Sequence, residues 1–462
     1  MKPILVSSSV VGLSLNSRPV KSAAECRTLE ATIVDLAHDG RGVADLEGKR
    51  VFVADALPGE RVTVQRRRRR RRFEEAQLDT VLAASPDRVA PRCEYFGRCG
   101  GCVLQHLEPT AQLKAKAAHV AQVLQRIGEV SPGRWLDPVP GPLWNYRRRA
   151  RLSVRYVAGK GRVLVGFRER GNSFVADMSH CAVLAEPVDR LVGPLAQMIQ
   201  RTSLRARLSQ VEVAVGEGST ALVLRVLDEP SPADLGHFRA FARRHDVDIL
   251  LQPGGPDSVT PLDPATLRPL FYELPEFELR LGFAPLDFVQ VNGQINRELV
   301  SRVVALLQPT PQDRVLDLFC GLGNFALPLA RHAGEVLGVE GMDSLVRRAD
   351  NNAAANAIHN AQFVCADLAQ PGAAFARKHW DLMLLDPPRS GAAQTVADIP
   401  RMAPRAIAYV SCHPATLARD ARSLVHDCGY QFTAAGVLDM FPHTHHVEVV
   451  ALFQHPSGTP GS

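Results

Sequence analysis

The stretch "CEYFGRCGGC" puts Cys93, Cys99 and Cys102 close together in a chain that has only nine cysteines among 462 residues. Thiolates crowded in this way serve as soft metal ligands. The C-x5-C-x2-C spacing matches neither the paired C-x2-C arms of a zinc ribbon nor a thioredoxin motif. It is nearer to ferredoxin-type spacing, in which a close trio takes a distant fourth thiolate. Cys181, in "DMSHCAVL", is the candidate fourth ligand, and a zinc ion is the alternative occupant.

A second group of chemically capable residues lies toward the C-terminus. In "DLFCGLGNF", Gly321 and Gly323 follow a buried apolar run and precede a helical pattern, which suits a tight turn with close approach of a ligand. Glu340 ends the next expected strand, where a carboxylate accepts hydrogen bonds from a ribose diol. A nucleoside cofactor fits, and this motif alone leaves a dinucleotide and S-adenosylmethionine equally open. Asp367, after "FVCA", and Asp386, after "DLMLL", also end strands, at the edge where open α/β sheets bind ligands. A plainer role for Asp367 is a helix cap. The two prolines of "DPPRSG" fix the backbone that leaves Asp386.

"AIAYVSCHP" delivers Cys412 to the end of another buried strand, as a nucleophile requires, although burial for packing is the commoner fate of cysteine. A thiol of ordinary pKa, near ~8.5, is mostly protonated at neutral pH and needs its surroundings to change that. Glu448, expected near the middle of the terminal strand "HHVEVVALF", faces away from Val447 and Val449. That position suits a proton acceptor in the crevice or an edge-strand charge that discourages aggregation. His443, His445 and His446 tempt a metal reading but have no evident fourth ligand.

These residues need elements to position them. Short alternating runs punctuated by "HDGRG", "LEGK" and "LPGE" predict a small antiparallel barrel over 27–86, with the seven arginines Arg66 to Arg72 in a connecting loop or frayed strand. Apolar positions over 105–127 follow a helical stripe that Gly128 ends. Residues 87–285 read as an α+β region, and 286–462 as alternating apolar strands and helices, a doubly wound sheet closing with an antiparallel pair. A 462-residue chain exceeds one ordinary core, so several domains are expected.

Between Trp144 and Arg170 nine basic residues face one acid, and with the arginine run this points to a polyanion, with nucleic acid favoured over two solvated faces. No run of apolar residues is long enough to cross a bilayer, so no membrane partner is expected. Residues 1–26 lack a convincing cleavage pattern and read as a disordered tail. The odd cysteine count without an export signal points to a reducing cytoplasm.

Taken together, the barrel pattern, "CEYFGRCGGC" with Cys181, "NYRRRARLS", "FVQVN", "DLFCGLGNF", "DPPRSG", "YVSCHPATLARD" and "HHVEVVALF" resemble the RNA uracil-C5 methyltransferases. The similarity runs from residue 27 to 455 and is greatest to the branch that modifies 23S ribosomal RNA. It implies a multidomain α/β protein: an OB-like TRAM barrel, a central α+β domain with an iron–sulfur cluster, and a Rossmann-like methyltransferase domain. It further implies that Cys412 is the nucleophile and Glu448 the general base. Gln290, Phe319, Asn324, Glu340, Asp367 and Asp386 would contact S-adenosylmethionine. Cys93, Cys99, Cys102 and Cys181 would ligate a [4Fe-4S] cluster, and a monomer acting on 23S ribosomal RNA would follow. His413 departs from the family pattern, where asparagine commonly follows the cysteine.

Four other functions compete. A tRNA uracil-C5 methyltransferase is nearest, but that branch generally lacks the barrel and the cysteine quartet. The other ribosomal RNA branch shares the cluster and usually lacks the barrel. A non-catalytic iron–sulfur RNA-binding protein would use barrel, basic strands and cluster only to grip RNA. A nicotinamide-dependent oxidoreductase would leave "SCHP" and "DPPR" without a role.

Overall fold

The computed structural model describes residues 28–368, 370 and 374–456. The tail expected over 1–26 lies outside these residues. By their contacts the described residues divide into two compact units, one ending at Asp35 and resuming over Arg41–Ser85, the other comprising Leu36–Gly40 and the chain from Pro86 onward.

The first unit is a barrel of β1 (Thr28–Leu36), β2 (Gly42–Leu46), β3 (Lys49–Ala54), β4 (Arg61–Arg69) and β5 (Phe73–Ala83), closed in the order β1-β2-β3-β5-β4. Period-two alternation sends Ile33, Val51, Val53, Val62 and Val64 inward to one small core. The arginine run differs from expectation. Arg66 to Arg69 complete β4, and Arg70 to Arg72 make the bend into β5. Buried Glu74 holds the run in strand form, ion-paired to Arg66 Nε at 2.8 Å and to Arg69 Nε at 2.9 Å.

The second unit opens with α1 (Pro109–Val123), shorter than the expected helix, and a π-helical turn over Leu124–Gly128. Pro109 needs no N–H in the first turn, and the Glu108 carboxylate accepts the Ala111 N–H at 2.9 Å. Gly128 is required by packing: a Cβ there would stand 2.6 Å from the Ala418 carbonyl oxygen. After β6 (Arg134–Trp135) come β7 (Arg149–Val157), β8 (Arg162–Gly166), α2 (Val192–Gln200), β9 (Leu208–Val215), β10 (Thr220–Val226), α3 (Pro232–His245), β11 (Asp248–Gln252) and β12 (Thr260–Pro261). Their strands form one sheet, β12-β11-β10-β9-β7-β8. A hairpin, β13 (Leu270–Leu274) and β14 (Leu279–Phe283), leads to α4 (Gly293–Leu307).

The last sheet takes β15 (Arg314–Leu318), β16 (Glu335–Glu340), β17 (Ala361–Cys365), β18 (Leu382–Leu385), β19 (Ala406–Ser411), β20 (Gln431–Leu438) and β21 (Glu448–Gln454), in the order β17-β16-β15-β18-β19-β21-β20-β6. Helices α5 (Ala326–Ala330), α6 (Asp343–Ala355), α7 (Ala393–Met402) and α8 (Pro414–His426) intervene. Every residue of β18 and β19 is buried, because helices cover both faces. β15 to β19 run parallel, while β21 runs antiparallel between β19 and β20. No helix among the described residues is long and apolar enough to cross a membrane.

Candidate active site and cysteine pocket

The reversed strand builds the site. Because β21 runs against β19, its first residue lies at the carboxyl edge of the parallel strands, with Val449 paired to Ser411. Glu448 is thus the first residue of β21 rather than a mid-strand one, on an interior strand rather than an edge, and it is 3% exposed. Cys412 follows β19 immediately, half-buried, where α8 begins. His413 caps that helix, its Nδ1 accepting the Thr416 N–H at 3.4 Å, so the residue that departs from the family pattern still performs a capping role.

The electrostatics are those of acids crowded away from water. Burial pushes Glu448 well above the carboxylate range and the neighbouring Asp386 adds to it. Burial raises Asp386 to about 7. Burial, Glu448 and Asp386 raise the Cys412 thiol, whereas the Arg389 guanidinium, within hydrogen-bonding reach, lowers it. Arg389 in turn donates from Nη2 to His446 Nδ1 at 2.9 Å, on the segment that leads into Glu448. Asp317, in β15, is fully buried, with no side-chain partner for its carboxyl oxygens among the described residues. Burial, then Asp386, holds it well above its ordinary pKa, and the Ala326 backbone opposes the shift.

Beside this crevice the glycine loop shapes a second cavity. Gly321 and Gly323 take φ of 56° and 95°, a conformation glycine adopts freely, and Phe319 is forced into the same region at 67°. The Gly321 and Met342 N–H groups donate to the two Glu340 carboxylate oxygens, each at 3.1 Å. Phe319, Glu340, Asp367, Pro388 and Gly391 line one cavity of about 830 Å³. Asn324 and Gln290 are not among its lining residues. Asn324 exchanges hydrogen bonds with Asn296 at 2.9 and 3.0 Å and accepts one from Tyr272 at 2.8 Å, and half-buried Gln290 lies between β14 and α4.

Cys93, Cys99, Cys102 and Cys181 meet around one small cavity whose other walls include Phe96, Trp144 and Phe167. Burial, with a smaller contribution from the neighbouring thiols, raises Cys102 to about 11 and Cys181 to about 12. Among the described residues, no three His, Cys, Asp or Glu side chains are grouped to hold a single ion. The loop after Cys102 also grips the active-site segment, since the Val103 and Leu104 N–H groups both donate to the His443 carbonyl, at 2.8 and 3.0 Å. His443 itself is engaged by Gln112, which accepts its N–H at 3.0 Å, and by the Trp144 ring at 4.4 Å. Between these regions lies an open cavity of about 1310 Å³ lined by Arg147, Arg168, Arg170 and Arg389.

Residues 278–455 match the family model for tRNA (Uracil-5-)-methyltransferase, and residues 24–78 match the TRAM domain. A Methylococcus capsulatus protein named 23S rRNA (uracil(1939)-C(5))-methyltransferase RlmD is 48% identical over 428 residues, 92% of this chain and 97% of its own. The chain belongs to the RNA uracil-C5 methyltransferases. Another member of that family bearing the same name, from Thiobacillus denitrificans, is 50% identical over 91% of this chain and 98% of its own. Among solved structures, the Pyrococcus abyssi tRNA (uracil-54, C5)-methyltransferase in complex with S-adenosyl-L-homocysteine matches with a TM-score of 0.71 at 25% identity, over 92% of this chain and 100% of that one. The N-terminal barrel is the TRAM domain, and the C-terminal sheet has the methyltransferase fold.

In this uracil-C5 methyltransferase the structure brings Cys412, Glu448 and Asp386 to one crevice and Phe319, Glu340 and Asp367 to the adjoining cavity. Sequence reasoning passed over Arg389, Asp317 and His446 as contributors. The arginine of "DPPR" and an acid inside the apolar run "RVLDLF" were signals for the first two. His446 drew attention only as a tempting metal ligand, since its hydrogen-bond partner Arg389 is distant in sequence.

Proposed function

We propose that this enzyme methylates C5 of uridine 1939 in 23S ribosomal RNA, the reaction in the names of its relatives, with S-adenosylmethionine as methyl donor. C5 of uracil is a weak nucleophile. The Cys412 thiolate adds to C6, forming an S–C6 bond and sending the ring electrons into an enolate. C5 then attacks the donor's methyl carbon, whose bond to sulfur breaks to leave S-adenosylhomocysteine. Glu448 takes the C5 proton, the S–C6 bond breaks, and the thiolate returns with 5-methyluridine. The donor occupies the cavity of Phe319, Glu340 and Asp367, with Asp386 facing its charged end and Gln290 and Asn324 completing its surroundings.

The observation that carries this reading is the reversal of β21, which sets a buried carboxyl beside the Cys412 thiol, while the Arg389 guanidinium opposes the rise that burial and Glu448 give that thiol. Holding thiol, base and methyl donor together lowers the barrier by up to ~7–11 kcal/mol. Unpaired or splayed RNA is the substrate form, because a stacked base must first be turned out at a cost of a few kcal/mol. Glu448→Gln incubated with RNA and donor should accumulate a denaturation-resistant RNA–protein adduct, and Cys412→Ala should form none. An active Cys412→Ala enzyme sinks the assignment. Labelled methyl transfer to 23S fragments against tRNA tests the substrate.

Cys93, Cys99, Cys102 and Cys181 would hold a [4Fe-4S] cluster. Four thiols spread around a cavity suit a polynuclear centre better than one tetrahedral zinc, whose ~2.3 Å bonds draw the sulfurs into close contact. Such a cluster supplies electron-transfer chemistry, yet methyl transfer moves no net electron, so its part here is to fix the loop that grips His443. Anaerobically purified protein that carries zinc instead of iron contradicts this assignment. A ribosomal RNA substrate places the work in the cytoplasm, and a monomer is expected in gel filtration.

A further inference from the structure

Phe167 to Val175 double back as a hairpin at the rim of the arginine-lined cavity. Arg168 and Val175 form an antiparallel bridge, the Glu169 N–H donates to the Phe174 carbonyl at 2.8 Å, and the Ala176 N–H to the Phe167 carbonyl at 2.9 Å. Asn172 closes the tip: its Oδ1 accepts the Phe174 N–H at 2.7 Å and its Nδ2 donates to Glu169 Oε2 at 3.1 Å. The inner strand is zipped onto the cysteine loop, with Gly100 N–H to Arg168 oxygen at 2.8 Å and Arg170 N–H to Arg98 oxygen at 2.9 Å. This ordered hairpin presents one large apolar side chain, Phe174, 69% exposed.

The surroundings say what such a ring is for. Phe174 stands opposite Glu169 across the hairpin, so the two side chains share a face, and Glu169 lines the cavity. Arg168 and Arg170, from the alternate positions of the same strand, line it as well. Arg170 is pinned over the Phe96 ring at 4.7 Å and bonded to the Cys102 carbonyl at 2.7 Å, which fixes its guanidinium. The one acid on this hairpin, Glu169, is occupied by Asn172. An exposed aromatic ring on the same hairpin as two cavity-lining arginines matches a single strand, in which π-faces alternate with phosphates. A folded protein partner needs a wider apolar surface than one ring.

We propose that Phe174 is a stacking platform for an unpaired base that flanks the target uridine, with Arg168 and Arg170 taking the adjoining phosphates. The proposal rests on the reading of the chain as an RNA methyltransferase. It is tested with the full-length enzyme and a 23S fragment containing uridine 1939, with 2-aminopurine placed at each unpaired position in turn.

Wild-type enzyme should quench one of these positions on binding. Phe174→Ala should abolish that quench and raise KM by about 5- to 150-fold, a larger change than in kcat, and Phe174→Trp should restore both. Arg168→Gln should reduce the slope of log affinity against log salt by about one phosphate. An unchanged melting temperature for Phe174→Ala shows that the fold is intact. A KM within about twofold of wild type, with every quench retained, overturns the platform. The Glu448→Gln adduct separates the two readings: an adduct that forms while Phe174→Ala changes nothing refutes the platform alone, and no adduct in Glu448→Gln with Phe174 intact refutes the catalytic reading.

Discussion

The crevice at Cys412 and the cysteine pocket both bury ionisable groups of one kind together, and they meet the cost in different ways. In the crevice, Asp317, Asp386 and Glu448 are all held above the carboxylate range, and only the Ala326 backbone opposes the shift at Asp317. A carboxyl group remains polar when protonated, so it still needs a partner. In the pocket, protonated thiols among aromatic rings behave almost as small hydrophobes and need none. The crevice therefore declares its ligand, a cation, through unmet electrostatic need, whereas the pocket declares its own only through the identity of its four side chains. The Asp439–Val447 segment ties the two, anchored by Lys116 on one side and by the cysteine loop on the other.

Substitutions should separate the regions first by rate. Glu448→Gln should slow single-turnover methylation by ~10²–10⁴-fold, and Cys412→Ala should remove the covalent adduct altogether. If the proposed [4Fe-4S] cluster is bound, with about four iron atoms per chain, Cys181→Ser should instead lose that iron and melt at a lower temperature. Cys428→Ser, remote from both, should alter neither. Metal analysis beside single-turnover kinetics checks this, and a Cys181→Ser protein with full iron would erase the contrast.

The connecting segment offers the next largest effect. Lys116 Nζ meets Asp439 Oδ1 at 2.6 Å with both side chains about as buried as the core, and it also donates to the Phe441 carbonyl at 3.0 Å. Burial lowers the lysine pKa, and Asp439 opposes the shift. Lys116→Met alone should cost ~3–5 kcal/mol in urea unfolding, because it leaves a buried carboxylate uncompensated. Adding Asp439→Leu should return most of that loss. If the segment couples the regions, Lys116→Met should also lower kcat and loosen iron, and a purely local loss of stability would break the link.

How much of this was legible beforehand follows from which interactions are local. The strand-end positions of Cys412, Asp386 and Glu340 could be read because each closes an apolar run that a turn interrupts. The role of Glu448 could not, since base and edge charge differ only in strand order, and the insertion of β21 between β19 and β20 is a long-range choice. The arginine run was legible only in part for a similar reason: Arg70 to Arg72 form the connecting bend, but Arg66, Arg67 and Arg69 extend β4 because Glu74 and Gln77 on the adjacent β5 pair with them. The resemblance makes Asn324 a cofactor ligand, whereas its bonds to Asn296 and Tyr272 were not legible because they depend on α4 and β13 lying behind the glycine loop.

The smallest expected effect probes the crevice's need for a cation most directly. Asp386 titrates near about 7 in the folded chain against ~3.9 in an unfolded one, so between these values the folded state holds a proton the unfolded state has released. Stability from this group is therefore full below pH ~3.9 and is lost as pH rises through the folded value. A sulfonium or ammonium placed beside Asp386 favours the carboxylate and draws that proton off. S-adenosylmethionine affinity should then rise about tenfold from pH 6 to pH 8, with release of about one proton at pH 6. Asp386→Asn should flatten both trends relative to wild type and should raise the melting temperature of the free protein more at pH 8 than at pH 5. Calorimetry in buffers of different ionisation enthalpy reads the proton directly. A wild-type affinity with the same pH profile as Asp386→Asn would mean that the crevice does not use this carboxyl to recognise charge, and the contrast with the cysteine pocket would then rest on Asp317 alone.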